Sequence, residues 1–114
     1  MRKIRTLKKN YEFKNVLNKG QYFIKRQIIV YVTKNKKKKN YIGIAINTKL
    51  CNAVKRNRLK RLIRENYRLI SPKLQQGYNI VFLWNKKVLP KDAKYNIIEK
   101  DMMEAFLEAK ILNK

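Results

Sequence analysis

Apolar positions alternate with polar ones in two different rhythms along this chain, and the rhythm predicts the elements. From Asn10 to Lys19 the apolar residues are Tyr11, Phe13, Val16 and Leu17, close to helical spacing. Asn10 can cap that helix and Gly20 can end it. "QYFIKRQIIVYVT", Gln21 to Thr33, is rich in β-branched and aromatic residues and predicts one strand. "KNKKKKN", Lys34 to Asn40, predicts a solvated hairpin loop, because like charges repel and stay out of a core. "YIGIAIN", Tyr41 to Asn47, is then the returning strand. A long helix is predicted from Asn52, a plausible N-cap, to Ile70, with Ser71-Pro72 as its stop. Gly77 lies in the turn that follows. "YNIVFLW", Tyr78 to Trp84, is almost wholly apolar and predicts a strand buried on both faces. Pro90-Lys91-Asp92 opens a last helix running to about Leu112, with Ile98, Met102, Ala105, Phe106 and Ala109 as its apolar stripe. The predicted order is αββαβα. It implies an α+β two-layer sandwich, a central mixed sheet packed by helices, in one domain over 1–114.

The long helix is amphipathic in an unusual way. On a wheel of about 100° per residue, Leu59, Leu62, Ile63, Leu69 and Ile70 share one side. Asn57, Lys60, Arg61, Arg64 and Arg68 share the other, with Arg56 and Arg58 at the margins. Charged helix faces are usually just solvated. Ordinary ones, however, mix signs to gain pairs one turn apart, and this one carries a single carboxylate, Glu65. Repulsion between neighbouring turns is the cost of that bias, and a polyanion removes it. The pattern therefore favours polyanion binding.

Composition sharpens this. Of 114 residues 45% are apolar, so a formal charge of +23 does not make the chain a disordered tail. The commonest polyanion able to neutralise it is nucleic acid. Lys is scattered along the chain, but five of the eight Arg fall between Arg56 and Arg68. Guanidinium binds phosphate as a fork and stacks on bases, which ammonium does not. The single Cys, Cys51, rules out an internal disulfide and suits a reducing cytosol. No apolar run reaches the roughly 18 residues of a membrane span. The N-terminal stretch "MRKIRTLKKNYEF" is basic and lacks an apolar signal region. A cytoplasmic location without membrane contact is expected.

Chemistry within the chain itself is sparse. There is no His, one Cys cannot build a zinc site, and three Gly make no phosphate-cradling loop. Asp101, Glu104 and Glu108 could share one helix face and suggest a Mg²⁺ site. The alternative reading is the polar face of the last helix.

At "NAVKRNRLKRLIRE", Asn52 to Glu65, the sequence resembles the protein component of bacterial ribonuclease P. The family's ordered basic signature matches Arg56, Asn57, Arg58, Lys60, Arg61 and Arg64, with Lys49 as a basic position just before it. "LKKNYEF", Leu7 to Phe13, resembles the family's entry into helix one, and "RQIIVY", Arg26 to Tyr31, its first long strand. Leu17 stands where the family often has a second aromatic, Asn47-Thr48 where it often has Ser-Lys, and Cys51 where it often has Gly. The resemblance implies a protein that binds a large catalytic RNA and the single-stranded 5′ leader of precursor tRNA. The RNA, using Mg²⁺, hydrolyses one phosphodiester to release that leader. It implies no cofactor bound by the protein alone, and a monomeric protein apart from the RNA. It also implies a left-handed βαβ crossover in place of the usual right-handed one. RNA contacts are expected from Lys49, Arg56, Asn57, Arg58, Lys60, Arg61, Arg64 and Arg68. Leader contacts are expected from Lys9, Phe13, Leu17, Arg26 and Tyr31. Phe13 and Tyr31 offer flat faces for unpaired bases; the alternative reading for each is core packing, less favoured for Tyr31, whose side points opposite to Val30 and Val32.

Overall fold

The most apolar stretch of the chain organises the sheet. Tyr78–Trp84 forms a strand with five of its seven residues buried, and such a strand is stable only between neighbours. The computed structural model describes residues 4–113. Its elements are α1 (Asn10–Lys19), β1 (Gln21–Ile24), β2 (Ile28–Lys34), β3 (Tyr41–Ala45), α2 (Ala53–Ile70), β4 (Tyr78–Trp84) and α3 (Tyr95–Glu108). Single 3₁₀ turns lie at Ser71–Lys73 and Pro90–Asp92. The strand order is β1-β2-β4-β3, with β4 antiparallel to β2 and parallel to β3. Ahead of α1 the chain runs along the free edge of β3. Leu7 N–H donates to Ile42 O at 2.8 Å and Ile42 N–H to Arg5 O at 2.9 Å.

Strand alternation gives the sheet two different faces. Ile28, Val30, Val32, Ile42, Ile80, Phe82 and Trp84 join Leu59, Ile63, Tyr67 and Ile70 of α2 and Ile98, Met102, Ala105 and Phe106 of α3 in the main core. Phe82 sits edge-on to Tyr67 at 5.9 Å and to Phe106 at 6.2 Å. On the opposite face α1 buries Val16 against β2 and β4. This is a mixed α+β fold: a four-stranded mixed sheet packed by helices.

Within that architecture several local expectations change. Gln21 to Thr33 is two strands, paired as a hairpin with Tyr22 opposite Tyr31. The turn at Lys25–Gln27 contains no Gly or Pro to announce it. It is held by tertiary contacts. Buried Asp101 of α3 accepts from Gln27 N–H at 2.7 Å and Ile28 N–H at 3.3 Å, and Asn85 donates to Lys25 O at 2.9 Å. Lys34 to Asn40 is not a hairpin loop, because β4 inserts between β2 and β3. The loop is instead a crossover, with Lys37 paired to Glu12 at 3.1 Å.

Lys9, not Asn10, occupies the N-cap of α1, and it makes no side-chain capping bond. Gly20 does end α1, in extended geometry. A Cβ there would stand 2.6 Å from Val16 O, so space and not a left-handed φ requires the glycine. The last helix is shorter than its pattern suggested. Pro90–Asp92 is a separate turn, and Lys110 at φ 62° breaks the run. Ile111 and Leu112 then fold back to pair beside Leu74, with Gln75 N–H donating to Ile111 O at 2.7 Å. On α2, Leu69 points outward at 65% exposure, while Asn66 and Tyr67 are buried in its place.

Candidate nucleic-acid interface

The helix α2 is fixed first at its start. Asn52 accepts from Lys55 N–H at 2.9 Å, satisfying a free helix donor. Burying Leu59, Ile63, Asn66, Tyr67 and Ile70 at spacings of three and four sets the rotation. Asn57, Arg58, Arg61, Arg64 and Arg68 are then exposed, with Lys60 half-buried at the margin. Seven basic residues thus face one carboxylate, Glu65, on the same helix. Among the described residues no carboxylate from another element pairs with them: the ion pairs are Lys25–Glu108 and Lys37–Glu12, neither on α2.

Arg56 behaves differently from its neighbours. Its guanidinium Nη1 donates to Cys51 O at 2.7 Å and Thr48 O at 3.3 Å. It therefore ties the 47–51 loop to the helix start. That loop presents Lys49, exposed, whose N–H donates to Asn47 Oδ1 at 2.9 Å. Part of the Arg56 fork is committed to the backbone, which charge patterning alone does not reveal.

Beside this face lies a groove of 200 Å³ between α1, β3 and α2. Phe13 enters it from α1, and Lys60 and Arg64 from α2. Thr6, Leu7 and residues 42–44 complete it. The ring of Phe13 lies so close over Gly43 that a Cβ there would meet Cε2 at 2.2 Å. Phe13 is thus half-buried, packed on one side and open on the other. Leu17, one turn further along α1, is also half-buried. Tyr31 lies in the same cross-sheet row as Val81 and Gly43, and its ring meets Tyr22 at 5.6 Å between centroids.

Lys9 sits at the start of α1, its ammonium 5.7 Å from the Tyr11 ring centre. Arg26 stands in the β1–β2 turn and lines a separate cleft with Lys87, Asp92 and Lys94. The structure so brings Phe13, Lys60 and Arg64 together, places Leu17 and Tyr31 on neighbouring elements, and sets Arg26 apart. Two contributors were missed by sequence reasoning. Gly43 carried a signal, since a lone Gly inside a strand often marks close approach. Tyr22, 61% exposed, becomes legible only once the hairpin register is known.

The acidic alternative on α3 does not assemble. Asp101 is buried on two backbone amides and Glu108 pairs with Lys25. Among the described residues no three His, Cys, Asp or Glu side chains gather to hold a metal ion. No helix among them is long and apolar enough to cross a membrane.

Known proteins resemble this chain in sequence and fold. The family model described as Ribonuclease P matches residues 1–110. The ribonuclease P protein component of Natranaerobius thermophilus is 35% identical over 114 residues, spanning 100% of this chain and 97% of the relative. That of Clostridioides difficile is 39% identical over 97 residues, spanning 84% and 83%. The solved RNase P protein of Staphylococcus aureus superposes with a TM-score of 0.82 at 31% identity, covering 97% of this chain and 100% of that one. With likeness running through every element that builds the groove and the basic face, the chain belongs to the ribonuclease P protein family.

Proposed function

We propose that the chain is the protein subunit of a ribonuclease P holoenzyme and assists removal of the 5′ leader from precursor tRNA. The observation that carries this is the junction of two surfaces. The cationic face of α2 shares Lys60 and Arg64 with a groove whose floor holds an accessible aromatic ring, Phe13.

The two surfaces suit two forms of RNA. Arg58, Arg61, Arg64 and Arg68 project from one rigid helix and match the phosphates of a folded RNA, here the catalytic subunit. Lys49 and Asn57 add contacts at the helix start, and Arg56 holds the loop that carries Lys49. A single strand needs a flat face for its bases and cations for its backbone. Phe13, with Lys60 and Arg64 beside it, supplies both for the leader. Leu17, Tyr31 and Lys9 extend that path, and Arg26 provides a contact at the turn. Mg²⁺ held by the RNA subunit supplies the hydrolytic chemistry. The chain contributes affinity and placement, and alone it is inactive. It works in the cytoplasm, and apart from the RNA the protein is monomeric.

The test is cleavage of a leader-bearing precursor tRNA at low Mg²⁺ by the chain, by a bacterial ribonuclease P RNA, and by both. Activity in the mixture alone, lost with Arg61→Ala plus Arg64→Ala, supports the proposal. Cleavage by the protein alone sinks it. Tight RNA binding without stimulation leaves a structural RNA-binding protein.

A further inference from the structure

The edge strand β1 carries two large apolar side chains that the core does not use. Tyr22 is 61% exposed and Ile24 63%. Strand alternation puts both on the side opposite Phe23, which packs against the main core. That is the side on which α1 lies, but α1 rests on β2 and β4. The ring of Tyr22 is therefore left uncovered.

Register fixes where this ring stands. Tyr22 pairs with Tyr31, Tyr31 with Val81 and Val81 with Gly43, one cross-sheet row running from β1 to β3. Phe13 covers the Gly43 end, and Val81 between the ends is buried. Tyr22 and Tyr31 close the far end, with ring centroids 5.6 Å apart and planes tilted by 31°. Strands lie about 4.8 Å apart, so roughly 14 Å separates the two aromatic ends. The helix adds no second ring, because Leu17, one turn beyond Phe13, is aliphatic. Cross-strand aromatic pairs stabilise hairpins. That accounts for the contact with Tyr31, and not for the flat apolar surface of Tyr22 that still faces water.

We propose that Tyr22 is a leader-binding residue, which with Tyr31 forms a second base-stacking platform across the sheet from Phe13. This rests on the proposed function and deepens it. On that reading the cationic face of α2 holds the catalytic RNA next to the Phe13 groove, so the leader enters the row at that end. Tyr22 then takes a base nearer the 5′ end of the leader than Phe13 does. Stacking tolerates any base, since every base has a flat face. The platform therefore rewards leader length and not leader sequence.

The holoenzyme, assembled from the full chain and a bacterial ribonuclease P RNA, is titrated with precursor tRNAs whose leaders are shortened one nucleotide at a time. Wild-type affinity should rise in two steps as the leader lengthens. Phe13→Ala should lose the first, and Tyr22→Ala the second, at a longer leader. The second step should be roughly fivefold or more, the lower end of what one stacked base contributes. Tyr22→Phe keeps the ring and should restore it. An abasic nucleotide at the second position should remove the step in wild type and leave Tyr22→Ala unmoved, a coupling that a weakened hairpin does not produce. The platform is overturned, and the proposed function stands, if Tyr22→Ala keeps the second step or lowers affinity equally for every leader length and for mature tRNA. The same follows if the abasic nucleotide weakens wild type and Tyr22→Ala alike. If the wild-type holoenzyme gains nothing from any leader, the proposed function falls and the role of Tyr22 falls with it.

Discussion

Gly43 allows a sharp test of how the groove is built. It lies in β3 opposite Val81, in ordinary strand geometry without a positive φ. A Cβ at this position would stand 2.2 Å from Phe13 Cε2 and 2.8 Å from Cδ2. Carbon atoms in contact prefer about 3.5–4.0 Å, so Gly43→Ala must displace the ring by roughly 1.5 Å. Overpacking of this kind costs about 1–3 kcal/mol. Ring displacement should also remove a base-stacking partner, a loss of about 1–3 kcal/mol or roughly 5- to 150-fold in leader affinity. The coupling is what decides. In a Phe13→Ala background the clash is gone, and Gly43→Ala should be neutral or stabilising by up to about 1 kcal/mol, because glycine loses more backbone freedom on folding. Urea denaturation of the four proteins gives the cycle. Affinity of the holoenzyme for precursor minus mature tRNA gives the leader term. An equal stability cost of Gly43→Ala in both backgrounds would refute the reasoning, since the glycine would then serve something other than the ring.

Other expectations follow from single interactions. Asp101→Ala leaves the buried amides of Gln27 and Ile28 without their acceptor, and thermal or urea unfolding should register a loss of about 2–4 kcal/mol. Arg61→Ala plus Arg64→Ala should flatten the log–log dependence of RNA affinity on salt by about 1 for each phosphate no longer neutralised, and an unchanged slope would take those side chains off the RNA. Tyr67 ionises near 10.0 in an unfolded chain and at about 12 here because of burial. The unfolded chain releases its proton first, so the Tyr67 contribution is full below pH 10 and falls as pH rises toward 12. The stability difference between wild type and Tyr67→Phe should therefore change across that alkaline window and stay flat below it.

Some of this protein was written locally and some was not. The rotation of α2 is a local property, because residues three and four apart must share a side. Charge segregation between Leu59–Ile63 and Arg61–Arg64–Arg68 is therefore visible in one dimension, as is the Asn52 cap. Burial of β4 is equally local, since seven nearly apolar residues leave no side for water. Even so, the wheel misplaced Leu69. Which apolar residue at the edge of a stripe is covered depends on where α3 and the sheet lie.

What the tertiary structure decided are the places where distant groups meet. The β1–β2 turn is set by Asp101 and Asn85, which lie 74 and 60 residues away from their partners. Strand pairing is a contest between neighbours in sequence and the most apolar partner available. Here β4 won, so β2 and β3 are separated and the Lys34–Asn40 segment became a crossover. The groove depends on Phe13 reaching Gly43 from a distant part of the chain, and on Lys60 and Arg64 arriving from a third element. Sequence periodicity reports which side of an element faces the core. It carries no information about which element lies across from it, and the groove is made of those choices.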